Sequence, residues 1–217
     1  MEWYEPEVST LEQSLRGAPL PERPPAFYGS SSIRMWTDLA ADLDDSRALN
    51  IGFGGSTLAA CVHFFERLVP PVRPASLVVY SGDNDLGDGR SPEEVFHSFR
   101  ALANLVDRLL ATVAFGFMSI KPSPARIGLQ KRIRQTNQLI RSEIDKRPGA
   151  YYIDVYDGML NAKGQPRPEL YLEDGLHLSR AGYKLWANLL EPHRNRIFTP
   201  LLPAIVEDRL CSPIGES

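Results

Sequence analysis

Cysteine is scarce in this chain of 217 residues: only Cys61 and Cys211 are present, far apart. Two such residues exclude a disulfide framework and supply no zinc-ligand spacing. Cys61 lies in an apolar helical context and is expected to be a buried free thiol. An excess of positive charge is also missing. The formal net charge is −3, so no basic face is advertised for nucleic acid. The basic residues from Arg126 to Arg147 read as a solvated helix face. Long apolar runs are absent too. The longest, Thr112 to Ile120, is too short to span a bilayer. The acidic start, Met1 to Glu7, lacks the apolar stretch of a signal peptide. A cytoplasmic protein is expected; the alternative is an exported relative without its leader.

What is present suffices for one domain of ordinary size, since 43% of the residues are hydrophobic. Residues 1–25 read as an N-terminal extension outside the core, with a possible short helix from Glu7 to Leu15. Pro19, Pro21, Pro24 and Pro25 then enforce an extended lead-in. The domain proper is placed at 26–198, and 199–217 is a patternless tail.

Within the domain, strands and helices alternate. Strands are expected at 26–29, 48–53, 76–80, 112–120 and 150–155, and helices at 32–43, 57–68, from Ser91 on, 124–146 and 179–197. Ser91, Pro92 and Glu94 carry the signature of a capping box. Apolar strand cores with intervening helices predict an α/β fold: a three-layer α/β/α sandwich with a five-stranded parallel sheet. Such sheets bind ligands beyond the carboxyl ends of their strands.

The loops at those ends hold a consistent set of groups. The first strand ends in Gly29-Ser30-Ser31-Ser32, the second in Gly54-Gly55, the third in Asp83-Asn84-Asp85, and the last is followed by Asp174-Gly175-Leu176-His177. In order these offer a hydroxyl nucleophile, a bare backbone N–H, a carboxamide donor, and a carboxylate three residues before an imidazole. Those are the parts for acyl transfer. Singly, each has a plainer reading: a helix cap, a turn, an Asx-turn former, a satisfied histidine. Of the four histidines, His63 and His97 fall inside helical patterns and His193 near the chain's end. Only His177 has a carboxylate beside it in a loop. A tight turn through Gly175 brings Asp174 onto one ring nitrogen and frees the other to take a proton from a serine. No P-loop is present, and Ile33 stands where a G-x-S-x-G elbow needs its second glycine.

The blocks Phe27-Tyr28-Gly29-Ser30-Ser31-Ser32-Ile33, Asn50-Ile51-Gly52-Phe53-Gly54-Gly55-Ser56, Gly82-Asp83-Asn84-Asp85 and Asp174-Gly175-Leu176-His177 resemble the first, second, third and fifth blocks of the SGNH hydrolases, the GDSL lipase/esterase superfamily. They stand in the right order over about residues 26 to 197. The Gly-Ser-Ser-Ser-Ile-Arg start is similar to that of a bacterial subgroup. The resemblance implies a flavodoxin-like sandwich and an esterase or acylhydrolase without cofactor or metal. By it, Ser31 is the nucleophile, His177 the base and Asp174 its orienting partner. Ser31, Gly55 and Asn84 are the oxyanion-hole donors. Ser30 departs from the pattern, standing where relatives carry Asp. Ser32 reads as the start of the following helix.

The expected substrate is a small-molecule ester, with no long lid segment and therefore a lean toward small or polar acyl groups. Asp83, Asp85, Arg34 and Lys121 either line the site or are loop charges. Two rival readings remain at this point. One is a flavodoxin-like protein holding phosphate or FMN on the serine loop, which leaves Asp174 and His177 unexplained. The other is a silent scaffold whose partners use residues 1–25. Oligomeric state is not legible.

Overall fold

Five short apolar runs form five strands: β1 Pro25–Gly29, β2 Leu49–Gly52, β3 Ser76–Tyr80, β4 Ala114–Met118 and β5 Ala150–Ile153. The structure is a computed structural model that describes residues 1–198; the expected tail and Cys211 lie outside the described residues. The sheet order is β2-β1-β3-β4-β5 with every neighbouring pair parallel. Every residue of β1, β3 and β4 is buried, which requires a layer of helices on each face.

The helices are α1 Glu5–Gly17, α2 Ser31–Arg34, α3 Leu39–Asp42, α4 Leu58–Leu68, α5 Asp83–Gly87, α6 Pro92–Leu109, α7 Gln130–Ile144, α8 Arg180–Leu190 and α9 Arg194–Phe198. Alternation along the strands sorts side chains between two cores. Tyr28, Leu77, Val79, Phe115 and Phe117 join the core that α4, α6 and α7 cover. Phe27, Val78, Tyr80, Met118 and Ile153 join the one that holds Trp36, Leu39, Trp186 and Ile197. Cys61 is fully buried in the first core as a free thiol, and burial pushes its pKa up to about 12. The capping box at Ser91 and Glu94 forms as the spacing predicts.

Several elements differ from the sequence reading. The N-terminal segment is no bystander to the core: α1 buries Val8 completely, and Tyr4 packs edge-on to Phe53 and Phe64. Arg67 of α4 ties it down by binding both Glu5 and Glu12. The helix expected over 32–43 is two short pieces. The Asn50 side-chain amide, reaching over from β2, donates to the carbonyls of Ile33 and Trp36 and so stops α2. The helix expected over 124–146 starts as a 3-10 turn, Pro124–Leu129, before α7. The last helix is interrupted at Glu191–His193, where Pro192 cannot donate a backbone hydrogen bond.

Candidate active site

Gly29 sets the position of the serine loop. Its φ is +136°, and a Cβ there would lie 1.9 Å from the Tyr80 carbonyl oxygen. Only glycine lets the end of β1 run this close to β3 and turn at once into α2. The Ser30 N–H then donates to the Tyr80 carbonyl at 3.0 Å. α2 starts at Ser31, not at Ser32 as the sequence suggests, and Ser30 is its N-cap residue. The Ser30 hydroxyl makes no cap hydrogen bond and is buried without a partner among the described residues.

Ser31 Oγ lies 3.1 Å from His177 Nε2, and His177 Nδ1 lies 2.6 Å from Asp174 Oδ2. The three residues expected to act together therefore form one continuous hydrogen-bonded chain across 146 residues of sequence. The Asp174–His177 half is built locally. Asp174 Oδ1 accepts the backbone N–H groups of Leu176 and His177 at 2.8 and 2.9 Å, and Gly175 supplies the positive φ of the turn. The hydrogen bond from His177, helped by that from the Leu176 N–H, holds the Asp174 carboxyl down to about 2. It stays ionised over any ordinary working pH, and it fixes the ring so that Nε2 faces Ser31.

Asn84 is not in a loop, as the sequence suggested, but in the first turn of α5. Its Nδ2 donates to the Ser56 carbonyl at 3.1 Å, and its Oδ1 accepts from Arg126 Nη2 at 2.9 Å. Arginine has no acceptor and a carbonyl has no donor, so the two partners agree on the orientation of the amide. The other Nδ2 hydrogen has no partner among the described residues. Gly55, at φ +63°, has open space where a Cβ would be. The backbone N–H groups of Ser31 and Gly55 have no hydrogen-bond partner among the described residues. Asn84 and Gly55 thus meet through Ser56. No hydrogen bond among the described residues links either of them to Ser31, and what they share with it is placement beyond the carboxyl ends of β1, β2 and β3.

The sequence reading left open whether Asp83, Lys121 and Asp85 were loop charges. All three are buried. Asp83 Oδ2 lies 3.0 Å from both Lys121 Nζ and Arg126 Nη1. Burial by itself would raise the Asp83 carboxyl, but the two cations outweigh it and hold it below the usual carboxylate range. Asp85 accepts the Leu58 N–H through both carboxylate oxygens, at 2.9 and 3.1 Å, and burial pushes it up to about 6. It anchors the start of α4, and with it the far end of the loop that carries Gly54 to Thr57.

Arg126 is the residue that sequence reasoning missed. The sequence places it in a solvated basic run, yet its side chain is 17% exposed and holds both Asn84 and Asp83. Its backbone leaves helical geometry at φ −119°, and the preceding N–H, that of Ala125, donates to the Gly175 carbonyl at 3.0 Å. The Pro124–Leu129 turn therefore touches the Asp174–His177 turn by its backbone and Asn84 by the Arg126 side chain. Nothing in the spacing of charges distinguishes such an arginine from its exposed neighbours.

The family model of the GDSL-like lipase/acylhydrolase family matches residues 20–185. The chain belongs to that family. It is thereby a member of the SGNH hydrolase superfamily and a hydrolase acting on ester bonds. It is 28% identical to the platelet-activating factor acetylhydrolase IB subunit alpha1 of Rattus norvegicus over 169 residues, 72% of this chain and 68% of the relative. The Homo sapiens counterpart is also 28% identical, with 69% of its length covered. Its fold is similar to that of a GDSL-like lipase from Bacteroides thetaiotaomicron, with a TM-score of 0.75, 18% identity, and 87% and 97% of the two chains covered. Family membership decides for a hydrolase over a flavodoxin-like phosphate- or FMN-binding protein without hydrolase activity, a reading that the strand order alone leaves open because flavodoxin shares it. No helix among the described residues is long and apolar enough to cross a membrane.

Proposed function

We propose that this hydrolase cleaves a carboxylic ester of a short acyl group through a Ser31-His177-Asp174 triad and an acyl-enzyme. The observation that carries the reading is the hydrogen-bonded chain from Ser31 Oγ through His177 to Asp174.

Ser31 Oγ attacks the ester carbonyl carbon while His177 Nε2 takes its proton. The carbonyl oxygen gains the negative charge and is held by the N–H groups of Ser31 and Gly55 and by the free Nδ2 hydrogen of Asn84. Ser31, at the start of a helix, also offers the positive end of the peptide dipoles. The imidazolium gives its proton to the departing alkoxide, which leaves as an alcohol. Water then attacks the acyl group on Ser31, His177 takes a proton from that water, and its return to Ser31 Oγ releases the acid. The ionised Asp174 stabilises the imidazolium in both halves. No step calls for a cofactor. The word acetylhydrolase in the names of the curated relatives supports a short acyl group, as does the lack of a long lid segment in the sequence.

The test combines two measurements. A fluorophosphonate probe is expected to label the protein at Ser31 and not to label a Ser31→Ala variant. In a p-nitrophenyl ester series, kcat/KM is expected to be highest for acetate and to fall with chain length. Labelling of Ser31→Ala to the wild-type extent would overturn the triad, and a preference for octanoate over acetate would overturn the short-acyl assignment.

A further inference from the structure

The Gly54-Gly55 loop is held by the N-terminal segment as well as by its neighbours in the domain. Glu7 Oε1 of α1 accepts the Gly54 N–H at 2.9 Å. The Tyr4 hydroxyl, one residue ahead of α1, donates to the Gly55 carbonyl at 3.2 Å. Arg34, three residues after Ser31, lies beside Glu7 with Nε 3.5 Å from Oε1. The contacts of Glu7 and Tyr4 fall on the two peptide units that flank a third. Glu7 fixes the unit before Gly54, and Tyr4 fixes the unit after Gly55. Between them lies the Gly54–Gly55 peptide, whose N–H is the oxyanion donor in the reading above.

A pair of glycines is the least able to hold such a peptide by itself. Neither residue has a Cβ to restrict rotation, and Gly55 adopts a positive φ that other residues rarely populate. A donor that reorients freely has to be ordered at the moment of reaction, which forfeits much of its value to the transition state. Pins on both flanking peptides remove that freedom. Charge is balanced as well: a bare carboxylate near a developing oxyanion would oppose it, and the Arg34 guanidinium lies against Glu7.

We infer that Tyr4 and Glu7 are positioning residues for the oxyanion loop, so that the N-terminal segment is a working part of the active site. The inference rests on the oxyanion role of Gly55. Its anchorage is independent of that role: Val8 is fully buried, and Arg67 grips Glu5 and Glu12. Tyr4 and Glu7 can therefore be altered one at a time while α1 stays docked.

The experiment measures kcat and KM on p-nitrophenyl acetate, with melting temperature, for Glu7→Ala, Glu7→Gln, Tyr4→Phe, and Ser31→Ala as control. Full loss of an oxyanion donor costs about 10²–10³ in kcat. Loosening one is expected to cost about 10- to 50-fold for Glu7→Ala and about 3- to 5-fold for Tyr4→Phe, with KM within about twofold. Glu7→Gln keeps an acceptor oxygen for the Gly54 N–H and is expected to restore most of the rate. Combined with Asn84→Ala, Glu7→Ala is expected to cost less than it does alone, because both act on one oxyanion. Wild-type kcat in both Glu7→Ala and Tyr4→Phe would overturn the inference. So would a loss that tracks falling melting temperature and is not rescued by Glu7→Gln. If Ser31→Ala itself keeps its turnover, the catalytic reading beneath the inference fails instead.

Discussion

The two sides of the candidate site are built in opposite ways. The Asp174–His177 side is a four-residue turn closed by its own hydrogen bonds, with the Asp174 side chain 48% exposed. The Gly55–Asn84 side is assembled from distant segments. Asp83 and Lys121 are buried beneath it, Arg126 grips Asn84, Asp85 anchors the start of α4, and α1 reaches in from the N-terminus. In the roles proposed for the two sides, a base has to move protons and needs only local orientation, which a short turn supplies. An oxyanion hole has to resist reorganisation as charge appears, and a rigid set of donors needs support from several directions. The connection between the sides is the Pro124–Leu129 turn.

The largest expected effect is on Ser31, the proposed nucleophile, which both sides would serve. Ser31→Ala is expected to lower kcat by roughly 10⁴ or more in steady-state ester hydrolysis, with the melting temperature nearly unchanged. Asp174→Asn breaks the local side, since a carboxamide can donate to Nδ1 and hold the His177 ring in the wrong tautomer. A loss of about 10²–10⁴ in kcat is expected; a loss under threefold would mean that the turn orients His177 without the carboxylate. Asn84→Ala breaks the assembled side and is expected to cost about 10²–10³ in kcat, or about 2.7–4 kcal/mol of barrier. A change confined to KM would instead place Asn84 in substrate binding.

Lys121→Met sharpens the comparison through stability. It leaves the buried Asp83 carboxylate with Arg126 alone, and a loss of about 3–5 kcal/mol in denaturant unfolding is expected, as for other broken buried pairs. A value near zero would mean that Arg126 suffices. The smallest effect concerns acid. The Asp174 pKa is lowered in the folded protein, so its contribution to stability is present above the unfolded value near 4. It is lost as pH falls toward about 2. Between pH 4 and 2 the melting temperature of the wild type is expected to fall slightly more steeply than that of Asp174→Asn. Parallel curves would show that the exposed turn contributes nothing measurable.

The same contrast explains what could be read in advance. Ser31, Asp174 and His177, which meet in one hydrogen-bonded chain, could be singled out because their signals are short: a strand ending in glycine and hydroxyls, and a carboxylate three residues before an imidazole. The β3 bounds were recovered without error, since five consecutive buried residues leave no ambiguity. Arg126 was illegible because its role depends on a backbone departure from helical geometry that its own sequence does not announce. The end of α2 was illegible for a similar reason, as Asn50 from another strand stops it.

By itself, the sequence determined the alternation of strands and helices, the apolar strand cores that demand a two-sided sheet, and the residue types waiting at the strand ends. These follow from local periodicity, turn chemistry and chemical identity, all of which act over a few residues. Only the tertiary structure decided that Ser31 and His177 meet, and that Asp83 and Lys121 are buried as a pair. It alone decided that a segment read as an extension lies across the Gly54-Gly55 loop. Those outcomes depend on which surfaces pack together and on where a buried charge finds its partner, and both are properties of the assembled chain.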